Sequence, residues 1–265
     1  MKQRLKSWLT SLLSKAGAIP TPMTDVAQVR HLLRQLAPVL TDKPLRRLGP
    51  KGDGGYLVPD DLHGITACFS PGVNDVSGFE QDCAELGMQV FLADKTVEKP
   101  PTDHSRFHFT KKFIGASSSG DFMSLQDWVS DSLPGHQEDL LLQMDIEGYE
   151  YPVLLSLPES LQQRFRVIVV EFHQLDLLWS RPFFQLATAA FEKLQKTHVC
   201  VHIHPNNCFP VSSLNGVEIP PLAEFTFLRK NRVQNSQPAI QFPHPLDQDN
   251  TSNSSLALPE CWYRH

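Results

Sequence analysis

The stretch Leu140-Leu141-Leu142-Gln143-Met144-Asp145-Ile146-Glu147-Gly148-Tyr149-Glu150 decides how this chain reads. A short, mostly apolar run ends abruptly in acid-x-acid-Gly. Its length, its apolar content and the glycine behind it mark a buried strand rather than a helix. Side chains alternate along a strand, so Asp145 and Glu147 are expected on one face. Two carboxylates there are poor core material but good site material, because open α/β sheets bind ligands beyond the carboxyl ends of their strands.

The flanking sequence alternates in the same style. Ile65–Ser70, Gln89–Ala93, Phe107–Phe113, Arg166–Glu171, Val199–His204 and Glu224–Leu228 read as strands. Between them, Ser77–Leu86, Ser124–Ser130, Pro152–Leu157 and Phe183–Gln195 read as helices. Repeated β-α-β predicts a mostly parallel sheet with helices on both faces. Residues 24–40 form an amphipathic helix capped by Thr24 or Asp25 and ended near Pro38. Lys51-Gly52-Asp53-Gly54-Gly55-Tyr56-Leu57-Val58 is a glycine turn entering a short strand. This divides the chain into an N-terminal helical extension (1–44), an α/β domain (45–230) and a polar C-terminal arm (231–265). The apolar end of the arm, Leu258 to Tyr263, docks back onto the body.

Composition narrows the function. The chain has 265 residues and a net charge of -5, which argues against a nucleic-acid binder. Five cysteines without a C-x-x-C pair fit a reduced, cytoplasmic protein. No apolar run approaches the ~20 residues of a membrane span. The basic start, with Lys2, Arg4, Lys6 and Lys15, reads as a packed helix or as a weak contact of residues 1–15 with an anionic membrane surface.

Four groups of residues could carry chemistry. Gly72, in Ser70-Pro71-Gly72-Val73, follows a strand and precedes a helix, where a ligand can approach the backbone. The dinucleotide pattern G-x-G-x-x-G is missing, which weakens the case for NAD or FAD. Asp94 closes the next strand, roughly 20 residues on, where an acid can bond ribose hydroxyls. Glu171 and His173 end a strand that would neighbour Leu140–Met144, so Asp145, Glu147, Glu171 and His173 would converge. Carboxylates with an imidazole suit general-base work on a hydroxyl, or a divalent metal on Asp145, Glu171 and His173. Trp179 could stack on a sugar; His202-x-His204 has a metal spacing; Asn206 and Asn207 could hold sugar hydroxyls or a turn.

With these residues in view, the chain resembles class I S-adenosylmethionine-dependent methyltransferases, and more narrowly the FkbM-type family. The motifs are Gly52-Asp53-Gly54-Gly55-Tyr56, Ser70-Pro71-Gly72-Val73, Phe91-Leu92-Ala93-Asp94-Lys95-Thr96, Asp145-Ile146-Glu147-Gly148-Tyr149-Glu150, Val170-Glu171-Phe172-His173 and His204-Pro205-Asn206-Asn207. The resemblance implies a Rossmann-like sandwich with seven strands, one reversed near an edge. It implies S-adenosyl-L-methionine as cofactor, with Gly72 at its methionine part and Asp94 at the ribose. Gly115, Ala116 and Ser117 would border the adenine, Asp53 would close the pocket, and Asp145 would face both methyl group and acceptor. The first loop departs from the usual pattern in holding a single glycine.

The expected activity is O-methylation of a sugar, a glycan or a small natural product. Asp145, Glu171 and His173 would serve as base and orienter, or as ligands of Mg²⁺ or another divalent ion. Glu147, Trp179, His204 and Asn206 would meet the acceptor. Three other readings stand beside it. One is a nucleotide-sugar glycosyltransferase using Asp145-x-Glu147. Another is a metallohydrolase built on His202 and His204, and the third is a methyltransferase-like domain that only binds a partner.

Overall fold

The computed structural model describes residues 20–73 and 76–264. Its central sheet has seven strands: β1 (Ala67–Pro71), β2 (Gln89–Ala93), β3 (Phe107–Thr110), β4 (Leu140–Met144), β5 (Phe165–Phe172), β6 (His198–Pro205) and β7 (Ala223–Arg229). Their spatial order is β6-β7-β5-β4-β1-β2-β3. The pairs β5–β4, β4–β1, β1–β2 and β2–β3 are parallel. Strand β7 runs antiparallel to both β5 and β6. This is the expected Rossmann-like sandwich, with its one reversed strand next to an edge.

The two-residue period of β4 shows how the sheet is buried on both sides. Leu140, Leu142 and Met144 enter one apolar cluster, and Leu141 enters the other. Gln143 is buried too, and is held by Ser70 (2.6 Å) and by Tyr56, whose hydroxyl accepts from its amide at 3.2 Å.

Helices cover both faces. The larger cluster draws on α1 (Val26–Leu36), α3 (Leu125–Ser132), α4 (Glu150–Ser156), α5 (Glu159–Gln162) and α6 (Arg181–Thr197). The smaller draws on α2 (Gly78–Glu85) and on an antiparallel ladder of Leu45–Leu48 with Tyr56–Pro59. Helix α1 starts where the Asp25 carboxylate accepts the Ala27 N–H (2.8 Å), and its stripe Val29, Leu32, Leu33 and Leu36 is buried. It ends at Leu36, two residues before the Pro38 expected to stop it. Proline 38 disfavours helix at its predecessor, and Val39–Thr41 pairs with Ser236–Pro238 instead. The single strand expected over Phe107–Phe113 is also two elements. It stops at Thr110, and Phe113–Gly115 forms a separate ladder with Phe122–Ser124.

The amino end of the sheet is tied by arginines. Arg166 Nε and both terminal nitrogens of Arg229 reach Asp139 at 2.6–2.9 Å. Arg232 binds both oxygens of Asp61 at 2.7 Å. At the chain's far end, Trp262 is buried and donates to the Glu218 carbonyl (3.0 Å). Among the described residues, no helix is long and apolar enough to cross a membrane. Residues 1–15, where a membrane-surface contact was expected, lie outside them.

Candidate active site

The tips of β1 and β4 meet through backbone alone. The Asp145 N–H donates to the Pro71 carbonyl (3.2 Å), and the Gly72 N–H donates to Ala93 (3.0 Å). Gly72 sits at φ +96°, and a Cβ there would fall 1.5 Å from the Asp145 carbonyl oxygen. The glycine is therefore required first by the neighbouring strand, a sharper demand than the ligand access inferred from sequence.

Above this junction opens a cavity of about 500 Å³, within the ~300–1,000 Å³ common for small-ligand sites. Its walls include Gly72, Val73, Ala93, Ile114, Phe113 and Phe122 on the apolar side. Asp94, Thr96, Asp145 and Glu147 supply the polar side. The Asp94 Oδ1 accepts both the backbone N–H and the hydroxyl of Thr96 (2.6 Å each), which fixes the carboxylate at the rim. Phe122 lies between Phe113 and Tyr149, with ring centroids 5.3 and 5.5 Å apart.

The strand β4 stops at Met144, so strand alternation does not carry past it. Glu147 occupies the left-handed region (φ 56°) and Gly148 follows at φ 99°. The Glu147 side chain is 87% exposed, whereas Asp145 is partly enclosed. The two acids thus do not share a strand face, which corrects the sequence reading. They still meet at His173: its Nε2 is 3.4 Å from Glu147 and 3.8 Å from Asp145.

Glu171 is buried near the end of β5, and His173 lies just beyond that strand. One potential ligand atom from each of Asp145, Glu171 and His173 falls within 4.8 Å of the others. Burial pushes the Asp145 carboxyl up to about 7; the His173 charge opposes this, and Glu147, Glu150 and Asp53 add to it. Burial likewise raises Glu171, helped by Asp145, Glu224 and Asp53. For His173 burial works against the imidazolium, but the Glu150 hydrogen bond and the surrounding acids outweigh it and raise the group. The Asp145 Oδ1 is buried without a hydrogen-bond partner, so this oxygen suits a ligand's donor or cation.

The remaining expected residues divide. Asn206 is buried and donates to Glu171 (3.1 Å), which brings it to the site's edge. Asp53 is exposed and near enough to act on both Asp145 and Glu171. Ser117 is exposed and off the cavity wall, because residues 116–121 loop away between two paired segments; Phe113, Ile114 and Phe122 line the cavity there instead. Trp179 packs in the apolar core, so the stacking role expected for it is corrected. His202 and His204 face the arm: Asp247 lies 2.8 Å from His202 Nε2 and 3.7 Å from His204 Nδ1. His204 also stands in register with Glu224, which is itself in register with Glu171. This pair is separate from the Asp145 cluster.

Sequence reasoning missed Glu150, Glu224 and the aromatic wall. Glu224 is buried opposite Glu171, and Asn250 of the arm donates to it (2.7 Å). Apolar residues in short strands read as core, so Phe113 and Phe122 gave no signal. Glu150 stood in the quoted motif, but its contacts depend on a turn that sequence does not show.

Residues 123–194 match the family model described as the Methyltransferase FkbM domain. Over that span the sequence is similar to FkbM methyltransferases. The resemblance drawn from the motifs is borne out over that span, which contains Asp145, Glu150, Glu171 and His173. Gly72 and Asp94 precede the FkbM match. Among solved structures, a TehB-like SAM-dependent methyltransferase from Corynebacterium glutamicum ATCC 13032 Kitasato is similar at 12% identity and a TM-score of 0.33, over 86% of this chain and 97% of that one. So loose a superposition carries no weight. No curated protein matches the chain.

Proposed function

We propose that this protein transfers the methyl group of S-adenosylmethionine to a hydroxyl of a sugar, a glycan or another small hydroxylated acceptor. One observation carries the reading: a single cavity runs from the Gly72–Asp94 edge to Asp145, the member of the Asp145, Glu171 and His173 cluster on its wall. The residues fit the cofactor. Asp94 offers a carboxylate for ribose hydroxyls, and Phe113, Ile114 and Phe122 offer an apolar wall for a flat ring. The partnerless Asp145 oxygen offers an acceptor near the strand tip.

When bound, the cofactor's sulfonium supplies the activated methyl group. The protein's task is to place an acceptor oxygen and take its proton. Asp145 and His173 are the groups able to do so: burial raises the Asp145 carboxyl to about 7, and Glu150 with the surrounding acids raises His173. Asn206 steadies Glu171 beside them. The trio Asp145, Glu171 and His173 also has the donor types for a divalent cation. Turnover assayed in EDTA, then with Mg²⁺ restored, separates that arrangement from a metal-free base.

A nucleotide-sugar transferase fits less well. Among the described residues that line the cavity there is no Lys or Arg to meet a diphosphate. The deciding experiment is calorimetric titration of the full chain with S-adenosylmethionine, S-adenosylhomocysteine, NAD and a nucleotide sugar. Binding of the two adenosyl thioether compounds alone is expected. Asp94→Ala should weaken it about tenfold or more, the value of a charged hydrogen bond. Binding of the nucleotide sugar without the adenosyl compounds would overturn the proposal.

A further inference from the structure

Two consecutive residues at the head of α4 grip His173. The Tyr151 hydroxyl donates to the His173 carbonyl (2.7 Å), and Glu150 Oε1 lies 3.0 Å from His173 Nδ1. The same Glu150 oxygen accepts the Ile146 and Gly148 N–H groups, at 3.2 and 3.0 Å. Its side chain is wholly buried. A buried carboxylate needs strong reasons to be retained. Here one oxygen closes the turn that carries Asp145 and Glu147 and also meets the imidazole from the next strand.

We propose that Glu150 is the positioning residue of this site: in the neutral ring it keeps the proton on His173 Nδ1, so that Nε2 presents its lone pair to the space it shares with Glu147 (3.4 Å) and Asp145 (3.8 Å). The purpose of that lone pair rests on the methyl-transfer reading, where it receives the acceptor's proton. The orientation would serve a divalent cation equally, since ligating histidines are commonly fixed by a carboxylate on their other nitrogen. Tyr151 holds the backbone of the same residue, so ring and main chain are set by one helical turn.

The rival account is that Glu150 only caps the turn. Gln at 150 keeps an oxygen for the two N–H groups but loses the charge facing Nδ1. The full chain, labelled with ¹⁵N-histidine, would be studied by long-range ¹H–¹⁵N correlation at alkaline pH, where the ring is neutral. His173→Gln identifies the signal. In the wild type the Nδ1-protonated tautomer should dominate. Glu150→Gln should raise the Nε2-protonated form several-fold, while Tyr151→Phe leaves the ratio as it was. Affinity for S-adenosylhomocysteine should stay within about twofold in Glu150→Gln, because Glu150 is off the cavity wall. An Nε2-protonated wild type overturns the assignment without any variant, as does an unchanged tautomer in Glu150→Gln. A wild type that binds neither adenosyl compound defeats the methyltransferase reading instead, and the spectra still decide the role of Glu150.

Discussion

The two ends of the central sheet treat their acids in opposite ways. At the amino end, Asp139 is gripped by Arg166 and Arg229, which hold its carboxyl below the usual range although burial pulls the other way. At the carboxyl end, the partly enclosed Asp145 and the buried Glu171 and Glu224 have no arginine or lysine hydrogen-bonded to them, and all three are raised. The same side-chain chemistry is spent on cohesion at one end and only partly compensated, by histidine and asparagine, at the other. Under-compensated buried acids cost stability, so their presence beside a cavity points to chemistry.

Breaking this contrast gives the tests, from the largest effect down. Asp145→Asn should reduce methyl transfer by about 10²–10⁴-fold, the range of a lost general base, without lowering the melting temperature. A labelled-methyl assay with a thermal melt reads both, and a wild-type rate would remove Asp145 from the mechanism. Gly72→Ala should destabilise by about 3 kcal/mol or more, because strain and overlap combine; its Cβ would meet the Asp145 carbonyl, and urea unfolding measures the loss. At the other end, Asp139→Asn should cost about 2 kcal/mol, below the fully buried limit because the pair is partly solvated. Its affinity for S-adenosylhomocysteine should not change.

The smallest effect is a slope. Asp145 has a folded value of about 7 against 3.8 unfolded. Between those values the unfolded chain binds fewer protons at this group, so its contribution makes stability fall as pH rises. Asp139 is lowered on folding, so its contribution is present above its unfolded value and lost as pH falls. Stability curves from pH 4 to 7 should therefore be flatter in Asp145→Asn than in the wild type. Identical slopes would mean that Asp145 is not buried as described.

Much of the fold was legible because it rests on local rules. Gln89–Ala93 and Leu140–Met144 match residue for residue, since apolar runs between turn residues have few alternatives. The pairing of Val39–Thr41 with Ser236–Pro238 was not legible, because nothing local joins positions so far apart. In the site, Asp145, Glu171 and His173 could be named because charged residues after apolar strands stand out. Asp145 and Glu147 do not share a face, because strand periodicity does not hold for the three residues past Met144, which run into a left-handed turn at Glu147. Ser117 and Trp179 failed for a related reason: a position in sequence does not say which way a loop turns or how deeply a ring sinks.

The antiparallel course of β7 has a consequence for the last part of the chain. The backbone leaves that strand at Arg229, beside Asp139, at the end of the sheet remote from the cavity. It must travel back the whole length of the molecule before Asp247 can reach His202, Asn250 can reach Glu224, and Thr251 can reach Asn207 (2.8 Å). Those partners are buried polar groups of the two strands farthest from Gly72 and of the turn just after Pro205. A shortened version cut just after residue 230 would keep every strand and helix of the sandwich, yet leave a row of imidazole, amide and carboxyl groups facing nothing. The polar tail is in this sense the eighth edge of a seven-stranded sheet.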